Sequence, residues 1–231
     1  KIINPDINPF EIKTAIDNTV AKSNLEYSLG SANKLGAGIE ANLYQITPGT
    51  LSPLANSNIT PMAVDREKGL ETGIHLMHDW QIMPIIAVAY GTRLSIYNKL
   101  GPGETYSYKI GFPLDEKTIT DTIFYRNNQT QKMYSGFEPR ATLRLRLSER
   151  NSFKINYNRM RQYLQLVTNT ASSVPIDRWK LSDGYVKPQI ADQYAVGYFR
   201  NSSSNQWEMS WEVYYKDIKN VTDYKGGSEH C

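Results

Sequence analysis

Hydrophobic and polar positions alternate with a period of two along most of this chain. In Gln206–Asp217, Trp207, Met209, Trp211, Val213 and Tyr215 fall on one face, and Glu208, Ser210, Glu212 and Tyr214 on the other. Leu143, Leu145 and Leu147 alternate with Thr142, Arg144 and Arg146, and Phe153, Ile155 and Tyr157 with Lys154, Asn156 and Asn158. Ile86, Val88, Tyr90, Leu94 and Ile96 form another such face, opposed by Ala87, Ala89, Gly91, Arg93 and Ser95. Leu25, Tyr27 and Leu29, then Ile39, Ala41 and Leu43, repeat the pattern. A period of two means strands with one apolar and one polar face. No segment carries the 3.6-residue period of an amphipathic helix. The pattern predicts strands at roughly 17–30, 35–47, 69–79, 84–98, 137–148, 152–166, 190–200 and 206–219.

The connections between these strands alternate in length. Short turns are expected near 31–34, 80–83, 149–151 and 201–205; long connections span 48–68, 99–136 and 167–189. Within the second long connection, Thr105–Phe112 and Thr120–Tyr125 read as extensions of the flanking strands. Strict short–long order predicts antiparallel up-and-down pairing of sequence neighbours, with all short turns at one end. Nothing forces that order on a soluble β-sandwich. It is the asymmetry of an outer-membrane barrel, whose periplasmic turns are short and extracellular loops long. The expected fold class is therefore all-β, part of a transmembrane barrel with apolar side chains toward lipid. Arg93, Arg144, Arg146, Lys154, Glu208 and Glu212 would then face a wet or plugged lumen, since a charge buried dry is costly.

Composition narrows the field further. Lys and Arg total 26 against 23 Asp and Glu, a net charge of +3, too balanced for a dedicated nucleic-acid binder. The 16 Tyr and 4 Trp suit interfacial girdles. One Cys, Cys231, excludes an internal disulfide framework and a cysteine-based zinc site. The longest nearly apolar stretch, Ile82–Gly91, is too short for a membrane-spanning helix of about 20 residues. The opening KIINPDINPF lacks a charged-then-apolar leader pattern. Either the protein is not exported or this sequence is a portion of a longer one.

Particular segments carry a resemblance. Phe137-Glu-Pro-Arg140 opens a strand, a tight turn follows, and Ser152–Met160 ends in Tyr157-Asn-Arg159, continued by Gln162-Tyr-Leu-Gln-Leu166. Lys187-Pro-Gln189 leads into Gln193–Gly197, and Trp207–Asn220 carries Tyr214-Tyr-Lys-Asp217. Earlier, Glu71–Trp80 is followed by Gly91-Thr-Arg93. In this order and spacing, over about residues 66–224, these segments resemble barrel hairpins of TonB-dependent receptors; residues 1–65 fit by pattern alone. The resemblance implies that residues 1–231 are a partial barrel domain of about eight strands. The plug domain, the remaining strands and the segment that contacts TonB would lie elsewhere in a parent chain. Family barrels close with an aromatic C-terminal strand; here the sequence ends Asp223-Tyr-Lys-Gly-Gly-Ser-Glu-His-Cys231, read as the start of a further extracellular loop.

The implied function is import of a scarce nutrient, bound at the extracellular loops and drawn in with energy from the TonB complex of the inner membrane. Residence in the cell outer membrane, contact with its lipid, no catalysis, no cofactor and no nucleic acid follow as expectations. The ligand (iron chelate, cobalamin, glycan or peptide) and the residues that contact it are not legible. The rival readings are a soluble β-sandwich that binds glycans or adheres through Tyr and Trp, and a small outer-membrane barrel enzyme.

Candidate chemistry is sparse. His75, His78 and Asp79 are close in sequence, but on a strand His75 and His78 point to opposite faces and cannot share a metal; Asp79 reads as a turn cap beside Trp80. Glu208 and Glu212 share a face about 13 Å apart, too far for paired acid catalysis. No Gly-x-Ser-x-Gly elbow is present. Gly101-Pro-Gly103 is a turn rather than a phosphate cradle. Arg144, Arg146, Arg159 and Arg161 are expected to face the lumen. No catalytic, cofactor-binding or metal-ligating residue is assigned.

Overall fold

The computed structural model describes residues 2–4, 10–54, 57–58, 60–168, 177–202 and 206–222. Cys231 and the rest of the Asp223–Cys231 tail lie outside them.

The chain is all-β, and its long strands follow the alternating segments. They are β1 (Ile2–Asn4), β2 (Phe10–Leu29), β3 (Asn33–Pro53), β4 (Met62–Ala63), β5 (Glu67–Met83), β6 (Ile86–Leu100), β7 (Gly103–Tyr108), β8 (Ile119–Tyr125), β9 (Thr130–Arg146), β10 (Asn151–Gln162), β11 (Leu164–Thr168), β12 (Asp177–Leu181), β13 (Gln189–Asn201) and β14 (Glu208–Lys219). One curled half-barrel sheet runs in the order β1-β2-β3-β5-β6-β9-β10-β13-β14, with β4 paired to β3. Every pairing in it is antiparallel, and the eight long strands are neighbours in chain order.

Several strands run past their expected ends because the backbone ladder continues where side-chain alternation fades. β2 and β3 pair from Leu29↔Asn33 to Phe10↔Pro53 across one irregularity at Lys13/Ala15. The segments 105–112 and 120–125 are not strand extensions. The bend at Gly101–Pro102 and the turn at Arg126–Gln129 divert the chain, so β7 and β8 pair with each other in a separate hairpin. The span expected at 152–166 likewise splits at Tyr163, and β11 pairs with β12 in a second detached hairpin.

The first three short turns and the facing end of β13 lie at one end and are stitched together; residues 203–205 of the fourth expected turn lie outside the described residues. Gln81 N–H donates to Ala32 O (2.7 Å), Arg146 N–H to Ile85 O (2.7 Å) and Asn201 N–H to Arg150 O (2.9 Å). Gly30, at φ 73°, opens the first turn in the left-handed region.

Register assigns the faces. Trp80, Val88, Leu143, Ile155, Val196 and Val213 stand in one row across six strands. The adjacent row is Gln81, Ala87, Arg144, Lys154, Gly197 and Glu212, pointing the other way. The polar face is the concave one: from β6, Arg93 reaches carboxylates on β3, β5 and β9, a convergence that an inward-curled wall allows. Small residues make room there for long side chains to lie flat. A Cβ on Gly73 would fall 2.4 Å from Arg93 Nε, so the guanidinium rests on the glycine. Gly91 meets backbone instead, with Leu76 O at 2.2 Å from its would-be Cβ.

The outer face stays uncovered. Val213 is 76% exposed and Leu76 61%, and no second sheet packs on them among the described residues. The hydrophobic core is correspondingly small: Ile46, Tyr97, Tyr163 and Leu181, lined by Tyr44, Tyr134, Leu164 and Trp179. It sits on the inner face toward the long-loop end.

Candidate functional site

The polar chemistry of the molecule lies along the inner wall and at its long-loop end. Midway along the wall, Arg93 donates through Nη2 to Glu71 (2.8 Å) and Glu40 (3.3 Å) and through Nη1 to Glu138 (3.1 Å). Tyr44 Oη donates to Glu71 (3.0 Å). One guanidinium thus organises three carboxylates from three strands, and multiple charge-assisted bonds hold it flat.

Nearer the loops, the β11–β12 hairpin is bolted to the wall. Buried Glu67 on β5 accepts from Lys99 Nζ (2.7 Å) and from Lys180 Nζ (2.8 Å) and Leu181 N–H (2.9 Å) of the hairpin. Lys180 also pairs with Asp183 at 2.8 Å. Tyr163 stacks on Tyr97 with ring centres 4.6 Å apart and shares a hydrogen bond with Ser95 (2.8 Å). Tyr97 Oη donates to Ser182 O (3.0 Å) and Tyr134 Oη to Asp183 O (2.6 Å). Burial pushes the Asp183 carboxyl up, but the Lys180 ammonium and the N–H groups of Val186 and Tyr185 outweigh it, so the carboxyl titrates below its ordinary value. Lys180 is the mirror case: burial lowers it, Glu67 and Asp183 raise it further, and the net direction is up.

The β7–β8 hairpin meets this assembly at Tyr185, whose ring lies edge-on to that of Tyr108. Tyr185 Oη donates to Tyr106 O (2.9 Å) and accepts from Tyr106 N–H (3.0 Å). Beyond that junction the hairpin tip holds Ile110, Phe112 and Leu114 exposed. A capping box of Asp115 and Thr118 shapes the 3-10 turn that follows.

Other expected positions fall as follows. His75 opposes Arg93 on the inner face, and His78 opposes Tyr90 on the outer face, so they do not share a site. His78 bonds the Tyr90 hydroxyl (2.9 Å) and Asn33 Oδ1 (3.0 Å) and stacks near Trp80. Asp79 does not cap a turn: it sits within β5, opposite Lys34 and Ala89, because the strand continues to Met83. Glu208 and Glu212 share the inner face, as do Arg144 and Arg146. Arg159 does not. It lies one step from Asn158, hence on the outer face with Tyr157, and forks onto Asp192 (2.7 and 2.9 Å), which also accepts from Tyr157 Oη (2.9 Å). Among the described residues no three His, Cys, Asp or Glu side chains could hold a metal, and His75 and His78 form no hydrogen bond with a Ser.

Sequence reasoning passed over the Glu67–Lys99–Lys180 clasp. Its members are far apart in the chain, and only the fold of the long connection brings them together. The one local signal was the run of Tyr residues at 97, 134 and 163, spaced through separate segments.

No family description, curated protein or solved structure matches this chain.

Proposed function

We propose that this sheet is a sector of the barrel of a TonB-dependent receptor in the cell outer membrane. Such a receptor binds a scarce nutrient at its extracellular loops and imports it with energy from the inner-membrane TonB complex. The plug and the remaining strands belong to a parent chain, the outer face meets lipid, and the barrel carries no catalysis.

The observation that carries this reading is the slant of the apolar outer face. Tyr27, Leu35, His78, Tyr90, Ala141, Tyr157, Tyr194 and Tyr215 form one hydrogen-bonded row. On β10, β13 and β14 the next outward residue toward the loops is charged: Arg159, Asp192 and Asp217. On β6 the outward residues continue as Thr92, Leu94 and Ile96, on β5 as Leu76, Ile74, Thr72 and Leu70, and on β3 as Ala37, Ile39, Ala41 and Leu43. Barrel strands run at roughly 35–45° to the axis. A level hydrocarbon boundary therefore cuts the ladder obliquely, as this one does. Uncovered apolar side chains, a wet inner wall with paired charges, and long loops at one end fit the same setting. A soluble sandwich would cover the apolar face with a second sheet.

The inner wall offers carboxylates and Tyr hydroxyls to a plug, and the loops 48–68, 99–136 and 167–189 offer the nutrient its contacts. In intact cells that produce the protein, external trypsin is expected to cut the long connection at Lys109, Lys117 or Arg126 and to spare Arg150 in a short turn. The protein is expected in the outer-membrane fraction after alkaline carbonate extraction. Recovery in the soluble fraction, or cleavage at Arg150 with the long loops protected, overturns the proposal.

A further inference from the structure

The outer face is not of uniform height. On β6, outward residues from Ile86 to Ile96 carry no charge, about 34 Å along the strand. On β10 the uncharged outward run is Asn151, Phe153, Ile155 and Tyr157, about 20 Å, and on β13 only Tyr194, Val196 and Tyr198, about 14 Å. At a tilt of roughly 40° these become heights of about 26 Å on β6, 16 Å on β10 and 10 Å on β13, against a usual apolar band of about 25 Å. The run on β13 is bounded by Asp192 toward the loops and by exposed Arg200 toward the turns.

Slant does not account for the difference. It shifts both edges of the band together, whereas here the edges approach each other. Nor are the bounding charges accidental neighbours. The Asp192 side chain is 10% exposed and takes Nε and Nη2 of Arg159 and the Tyr157 hydroxyl. The pair is satisfied from within the wall, while the Arg159 side chain remains 37% exposed and Nη1 is not used in the fork onto Asp192. Lys219, paired across from Ile190, stands one step further out, 63% exposed, with the Asp217 carboxylate 3.7 Å away. Cations therefore flank the narrow run on both sides.

We propose that the β10–β13 sector is a thinned seam of the outer wall. There the bilayer is compressed and phosphate-bearing lipid headgroups reach Arg159 and Lys219 from the loop side and Arg200 from the turn side. A short apolar span in a membrane is accommodated by local thinning and by flanking cations that snorkel to phosphate. This rests on the membrane reading above and adds to it where the wall is low and which lipid chemistry edges it. A barrel with one low sector has a preferred side for lipid distortion.

The test replaces Cys231, the sole cysteine, with Ser and places single cysteines on the outer face in outer membranes from producing cells. Ile190→Cys, Val196→Cys and Arg200→Cys sample β13; Val88→Cys, Leu94→Cys and Ile96→Cys sample β6. None removes a member of the Arg159–Asp192–Tyr157 group. Each is reacted with a charged maleimide, added to both sides of opened membranes, and with a lipid-soluble one. The seam predicts that the charged reagent modifies 190 and 200 rapidly and 196 slowly, while 88, 94 and 96 react only with the lipid-soluble reagent. If 190 and 200 also react only with the lipid-soluble reagent, the wall is of full height and the seam is wrong. If 190, 196 and 200 resist both while β6 reacts with the lipid-soluble reagent, a protein covers the sector and the lipid occupant is wrong. If the charged reagent modifies β6 along its length, the membrane reading itself fails, a result distinct from the other two.

Discussion

At the scale of single residues, the inner wall depends on side chains lying flat, and two glycines show different limits. Above Gly73 lies the flexible end of Arg93; above Gly91 lies the carbonyl oxygen of Leu76. An added methyl at 73 moves a side chain, whereas one at 91 must move a strand. Overpacking of a tight site costs about 1–3 kcal/mol, and Gly91→Ala is expected at the upper end. Gly136→Ala, which meets the Arg161 guanidinium, is expected to cost less. Urea midpoints in detergent measure both; equal midpoints would mean that the strand yields as easily as a side chain. Facing was legible at this scale wherever the alternation was unbroken: Leu143 against Arg144, Trp211 against Glu212. It failed for Arg159, grouped with Arg144 and Arg146 by charge, although its odd step from Asn158 already placed it with Tyr157.

At the scale of elements, the eight long strands and their order were readable because each has one apolar face and pairs with its sequence neighbour. The β7–β8 and β11–β12 hairpins were not, because they are held by tertiary contacts rather than by an alternating pattern. Residues 164–168 simply continue the pattern of β10, and nothing in the sequence marks Tyr163 as the point where the chain turns inward onto Tyr97. The clasp that seats the second hairpin has a defined pH window. Asp183 titrates below 3.8 in the folded chain, so its contribution is present above that value and lost as pH falls through the lowered one. Lys180 titrates above 10.5, so its contribution is present below that value and lost as pH rises through the raised one. The emission of Trp179, which packs against the same core, should therefore stay constant from roughly pH 5 to neutral pH in a variant whose other Trp residues are Phe. Glu67→Gln leaves Lys99, 7% exposed, without its carboxylate. Stranding one partner of a buried pair costs about 3 kcal/mol. The variant should shift Trp179 emission to the red at neutral pH; an unchanged spectrum would mean that the Tyr97–Tyr163 stack and the Tyr97 and Tyr134 hydroxyl bonds seat the hairpin without Glu67.

At the scale of the whole molecule, one curled sheet leaves an uncovered apolar outside and a polar inside. β14 has a single hydrogen-bonded neighbour among the described residues. Apolar surface of this extent needs a cover, and bare edges invite pairing with other strands. The central claim is that lipid is the cover. The most direct measurement places a photoactivatable diazirine residue at outward Leu94 or Val213 and at inward Ser95 or Glu212, illuminates native outer membranes and weighs the adducts. Lipid adducts at 94 and 213 with none at 95 and 212 are the predicted result. Lipid adducts at none of the four positions, or at the inward pair alone, would contradict the account.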